Sequence, residues 1–146
     1  MRVVRLDPPR PQPTPDDVSR PFFEACAAGR LVLQYCDVCD SFQHYPRPAC
    51  TTCGGPVEWR ESRGEGIVYT FTVIRQFSAQ PFRDLVPYVV AMVQLTEGPL
   101  LMANITDTDP EKVWVGMPVS AYAVRFNDSE AYPMFAPRHD STEGER

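Results

Sequence analysis

The chain has 146 residues, enough for one domain with a proper core or for a small metal module fused to one domain, and too few for two large domains. Its net charge is −5 and it has no basic run, which argues against general nucleic-acid binding by phosphate neutralisation. Lys112 is the single lysine, so the basic residues are otherwise arginines, and a local arginine site for an anionic ligand stays open. No apolar run approaches the ~20 residues that span a bilayer, and the start Met1-Arg2-Val3-Val4-Arg5-Leu6-Asp7 breaks too soon for a signal peptide. A soluble, cytoplasmic protein is predicted.

Residues 7–15, Asp7-Pro8-Pro9-Arg10-Pro11-Gln12-Pro13-Thr14-Pro15, cannot form a helix, because proline removes donors and fixes φ. Residues 1–18 are predicted as an extended, proline-rich arm, either a solvated leader or a segment docked on a partner. Ser19 as cap, Pro21 in the first turn and Gly29 at the exit predict one short helix over about 20–28. Phe22, Phe23 and Cys26 fall on one face of it. Cys26 reads as a small buried hydrophobe rather than a nucleophile.

Cys36-Asp37-Val38-Cys39 and Cys50-Thr51-Thr52-Cys53 are two CxxC knuckles that read as one tetrahedral site. Four thiolates leave no open coordination position, so the site is structural. Zinc is the first choice, and iron in a rubredoxin-like site would use similar ligands. His44 is either an ordinary surface residue, a group behind the ligands or a substitute ligand. Strands at 31–35 and 57–60 flank the knuckles and complete a ribbon of about 30 residues, too small to hold together without metal.

The second half carries at least four strand signals punctuated by glycine and proline, and no long helix. Ile67, Tyr69, Phe71 and Val73 alternate with Val68, Thr70, Thr72 and Ile74, so the first set is predicted to face the core. Residues 88–95 are apolar on both faces, and Gly98-Pro99 turns them into 100–105. A turn or short helix at 109–113 leads to a strand at 119–126 and a last candidate at 132–135. Five curved strands in about 75 residues predict a small closed barrel, since closure removes exposed edges. Residues 139–146 are polar and predicted to be disordered.

This order of parts resembles the DUF35 family, whose members combine an N-terminal helix, a rubredoxin-like zinc ribbon and a C-terminal OB-fold. The matching stretches are Pro21-Phe22-Phe23, Gly29-Arg30-Leu31, both knuckles with Tyr45-Pro46-Arg47 between them, Trp59 and Gly64-Glu65-Gly66-Ile67-Val68-Tyr69. Pro81-Phe82, Pro87-Tyr88-Val89-Val90-Ala91, Gly98-Pro99-Leu100 and Val115-Gly116-Met117-Pro118-Val119 extend the match across about 20–138. One departure is Asp40, where the family usually has glycine; aspartate tolerates left-handed backbone better than most residues. The resemblance implies a mainly β protein with residues 19–60 as helix and ribbon and 61–138 as an OB-fold five-stranded barrel.

It also implies a non-catalytic accessory subunit in a hetero-oligomer. Its partner would be a thiolase-like enzyme acting on acyl-CoA thioesters, such as an acyltransferase or a lipid-transfer-protein-like aldolase of steroid side-chain breakdown. The small chain would stabilise that enzyme and border its substrate entrance. A catalytic site of its own is not expected. For the partner surface, the residues that stand out are Phe77 and Phe82 in the loop 76–85, with Phe22 and Phe23. For acyl-CoA phosphates they are Arg47, Arg75 and Arg83. Two other readings compete: an OB-fold and zinc-ribbon nucleic-acid module, and a stand-alone acyl-CoA binder.

Overall fold

The protein is seen in a computed structural model that describes residues 1–139; the tail predicted at 139–146 lies, apart from His139, outside the described residues. In chain order the elements are β1 (Val3–Arg5), α1 (Arg20–Ala27), β2 (Val32–Cys36), β3 (Ser41–Gln43), β4 (Glu58–Glu61), β5 (Glu65–Ile74), β6 (Tyr88–Leu95), β7 (Leu100–Ile105), β8 (Pro118–Arg125) and β9 (Ala131–Pro137). One-turn 3-10 helices sit at Phe82–Asp84 and Pro110–Lys112. No helix among the described residues is long and apolar enough to cross a membrane.

Helix α1 starts and stops by different means. Ser19 stands at the N-cap, but its hydroxyl does not cap the helix as the sequence predicts. It donates instead to the Asp16 carboxylate at 2.8 Å, and that carboxylate also accepts from the Ser19 N–H. At the other end Gly29 has φ +81°, its N–H donates to Cys26 and the Arg30 N–H donates to Ala25. This crossed pair is a Schellman ending, which needs a residue at ease in the left-handed region. The Ala27 carbonyl takes a further bond from Arg125 at 2.8 Å, a cation at the negative end of the helix dipole.

The ribbon is a three-stranded antiparallel sheet in the order β3-β2-β4. The larger sheet closes on itself. β5 pairs with β6, β6 with β7, β7 meets β9 through the parallel pair Ile105–Phe135, β9 pairs with β8, and β8 returns to β5 over Glu65–Ile67. Numbered within the barrel this is 1-2-3-5-4-1, the closed five-stranded OB topology. Val68, Val93, Val119, Ala123 and Phe135 fill its interior, and Phe22, Cys26, Leu31 and Leu33 belong to the same buried cluster. The ribbon sheet runs through Glu61 of β4 and the barrel sheet begins at Glu65, and the two sheets share one core.

β8 leaves β5 after Ser120, and from Ala123 to Arg125 its free edge is taken by β1 in parallel register. The sequence reading contains no such strand. Val4 and Leu6 pack on a second cluster formed by Tyr122, Val124 and Met134. Farther along the arm, Arg10 donates to the Asn104 side chain at 2.9 Å. Residues 1–10 thus lie on the chain's own barrel.

The predicted alternation along β5 holds only in part. A bulge between Val68 and Thr70 shifts the register against β6. Before it the even positions point inward, so Val68 is fully buried while Ile67 and Tyr69 are 41% and 55% exposed. After it the odd positions Phe71 and Val73 pack on the core, as predicted. One extra residue in a strand inverts every later side chain. Just ahead of the bulge, Gly66 lies against β6. A Cβ there would run into the Gln94 carbonyl and come within 2.9 Å of Val93 Cγ1. Gly66→Ala should therefore lose ~1–3 kcal/mol of stability in chemical denaturation, as overpacked sites do.

Candidate functional site

The four knuckle cysteines converge. Their sulfurs all lie within 4.8 Å of one another, with Cys36 and Cys53 at 3.6 Å and Cys39 and Cys50 at 3.9 Å. A metal–sulfur bond of about 2.3 Å in tetrahedral geometry places sulfurs ~3.8 Å apart, so the donor set fits a four-thiolate structural metal without rearrangement. Backbone N–H groups point at the thiolates: Cys39 at Cys36 Sγ (3.5 Å), Thr52 at Cys50 Sγ (3.4 Å) and Gly55 at Cys53 Sγ (3.4 Å). The N–H groups of Cys53 and Thr52 hold the Cys50 thiol below the usual thiol range, which favours the ligand form.

Each knuckle ends on a left-handed residue, Asp40 at φ +48° and Gly54 at φ +73°. Asp40, the departure from the family pattern, takes the required geometry and accepts a hydrogen bond from the Tyr35 hydroxyl. Arg60 covers that Tyr35 ring at 3.6 Å and pairs with Glu58 and Asp37. Cys26 is fully buried apart from this group, and burial pushes its thiol up to about 12, as expected of a packing residue.

The stretch 44–51 between the knuckles is shaped by two glutamines that the sequence reading does not single out. Buried Gln34 donates to the Arg47 carbonyl and accepts from the Arg47 N–H, both at 2.8 Å. Gln43 donates to Gln34 at 2.9 Å and to the Ala49 carbonyl, and accepts from the Thr51 N–H. Alternation marks both only as strand residues, so no local signal reveals the pair.

This loop forms one wall of a cavity of about 630 Å³. Phe22 and Phe23 of α1, His44 to Arg47 of the loop, Phe82, and Tyr88, Val90, Met102 and Asn104 on the outside of β6 and β7 surround it. His44 is thus not an ordinary surface residue. It is half-buried and packs on Phe22 and Tyr45, with ring centroids 5.2 and 4.3 Å away. It is not among the four grouped metal-ligand residues. Burial, reinforced by the Arg47 charge, pulls its pKa down to about 4.

The residues singled out for a partner and for phosphates separate in space. Phe22 is buried, at 5% exposure, whereas Phe23 is half-buried against Phe126. Phe77 is 46% exposed and meets Phe82 edge to face at 5.3 Å. Arg47 lines the large cavity, while Arg75 and Arg83 line a separate open hollow beside Phe77. Arg75 is paired with Glu111 at 2.6 Å. The structure therefore does not gather the three arginines at one site.

A four-thiolate ribbon fused to an OB barrel through a shared core defines a ribbon–OB protein. Residues 23–59 match the family model described as the ChsH2 rubredoxin-like zinc ribbon domain, and residues 59–124 match that of the ChsH2 C-terminal OB-fold domain. A chain of a solved Ltp2-ChsH2(DUF35) aldolase has a TM-score of 0.76 at 35% identity, covering 86% of this chain and 98% of that one. This chain belongs to the DUF35 family. It is also 36% identical over 130 residues to a probable enoyl-CoA hydratase alpha subunit of Thermomonospora curvata, covering 88% of this chain and 40% of the relative. A 3-oxo-4,17-pregnadiene-20-carboxyl-CoA hydratase alpha subunit of Mycobacterium tuberculosis is 31% identical over 147 residues, with 90% and 46% covered. The chain thus spans less than half the length of these two curated relatives.

Removing the metal with a chelator should release one equivalent per chain and unfold residues 31–60 first, seen as early loss of hydrogen-exchange protection there. The His44 ring resonance should titrate well below the ordinary ~6.5. Because the unfolded chain takes up that proton first, the stability owed to neutral His44 is complete above pH ~6.5 and is lost as pH falls through about 4. His44→Gln should remove that part of the pH dependence in parallel denaturation series.

Proposed function

We propose that this chain is a zinc-binding accessory subunit with no catalytic site of its own. It sits on a thiolase-fold, lipid-transfer-protein-like partner that acts on acyl-CoA thioesters, stabilises that partner and borders its substrate entrance. The observation that carries this reading is the likeness over 98% of a chain in a solved Ltp2-ChsH2(DUF35) aldolase. The steroid-type acyl-CoA in the name of the mycobacterial relative favours a retro-aldol step of steroid side-chain degradation. Zinc is the metal assigned to the four thiolates, because soft ligands in a closed tetrahedral set select it and leave it no position for substrate.

Within that assembly Phe77, the exposed member of the Phe77–Phe82 pair, is the aromatic anchor on the partner, and Arg83 with Arg75 faces the thioester's phosphates across the same interface. The protein works in the cytoplasm, where acyl-CoA is available.

Co-expression with a thiolase-like partner and capture of the tagged chain tests the assignment. Stoichiometric recovery of the partner is the expected result, and recovery of the chain alone or with nucleic acid contradicts it. In the recovered complex Phe77→Ala should raise the dissociation constant about tenfold or more, the range of an interface anchor. Elemental analysis of the purified chain should return zinc, and an iron site would announce itself by visible charge-transfer absorption.

A further inference from the structure

We propose that the 630 Å³ groove is a binding site for a neutral, largely hydrocarbon ligand carrying at most a ketone or hydroxyl group. Resting on the reading above, this ligand is the ring or acyl body of the thioester and not its nucleotide end.

The volume lies within the ~300–1,000 Å³ of small-molecule sites. The walls come from separate elements: Phe22 and Phe23 from α1, His44 and Tyr45 from the metal-held loop, Phe82 from the 3-10 turn and Met102 from β7. Large apolar side chains remain open to solvent at this place, with Tyr45 at 46% and Met102 at 56% exposure. Apolar surface left uncovered in a concave site marks something that covers it.

The polar groups define the ligand class. The Asn104 amide donates to the Val89 carbonyl at 2.9 Å, and its oxygen accepts from Arg10 at 2.9 Å. The Ser19 hydroxyl is bonded to Asp16 at 2.8 Å. The two charged lining residues, Asp16 and Arg47, are exposed and of opposite sign. His44 is held neutral by burial. Tyr88 and Tyr132 are the other hydroxyl-bearing rings of the lining, and a phenol hydroxyl suits a ketone or alcohol oxygen. A phosphate or carboxylate placed inside would lose its hydration without a buried cation to replace it.

The test uses the full, metal-loaded chain without its partner, labelled at the methionine methyl groups and histidine rings. Progesterone serves as a neutral four-ring ketone, and free coenzyme A as the nucleotide control. Progesterone is expected to shift the Met102 methyl and His44 ring signals saturably, with a dissociation constant on the order of 10 µM. Met102→Trp, which fills the groove from an exposed position, should weaken binding about tenfold or more, an effect of one well-placed contact. Val115→Ala, an exposed position outside the groove, should leave it unchanged. Absence of saturable shifts, shifts that persist in Met102→Trp, or a groove response to coenzyme A in place of progesterone overturns the proposal. Partner capture alongside a failed titration removes the groove assignment alone; a successful titration with no partner recovered removes the accessory-subunit reading alone.

Discussion

Convergence of four thiolates on one point is the constraint from which much of the architecture follows. The ribbon strands β2, β3 and β4 are too few to bury a core of their own, and metal binding supplies roughly 10–16 kcal/mol in comparable zinc-finger peptides. Cys39 and Cys50 anchor the two ends of the intervening loop, and the Gln34–Gln43 pair fixes its middle. That loop is a wall of the groove. β2, which ends in the ligand Cys36, places Leu33 in the core of the barrel, so the metal-held strand also joins the two halves. Metal, loop, groove and inter-sheet packing form one chain of dependence.

Sequence spacing reveals the features that rest on local chemistry. The two knuckles, the Gly29 helix exit, the Gly98-Pro99 hairpin turn and the barrel strands all follow from residues close together in the chain. Features made by long-range encounter do not show. β1 exists because β8 has an edge that β5 does not cover, and its Val3-Val4-Arg5 is too short to stand out beside the prolines that follow. The groove joins residues from Thr14 to Pro133, and no segment of it is distinctive alone. The aromatic residues of the helix and of the 76–85 loop are recognisable as a group, but sequence cannot tell that Phe22 turns inward while Phe77 stays exposed.

Charge distribution on the barrel differs from that of a face that holds a nucleic-acid strand. OB-folds that hold single strands use the face of their second and third strands, here β6 and β7. The outward positions on those strands pair as Gln94 with Leu100, Met92 with Met102 and Val90 with Asn104. None carries a charge. Continuing onto β5, the same rows reach Ile67, Thr70 and Thr72, again uncharged. A phosphate backbone would find no row of cations there. The face is better matched to apolar material, in keeping with the cavity that opens beside it.

The bulge at Val68–Thr70 gives one step of β5 an unusual genetic tolerance. Since β5 changes phase at that point, losing the single codon for Tyr69 would restore uninterrupted alternation with the earlier half of the strand. Phe71 and Val73 would stay on the inside, opposite Ala91 and Val89, and Thr70 and Thr72 would stay outside. Most single-codon losses within a barrel strand turn every later side chain to the other face. Here the loss would only flatten the local bend and leave the remainder of the strand in phase, so descendants of this gene should vary in length at the turns and, within β5, at the Tyr69–Thr70 step.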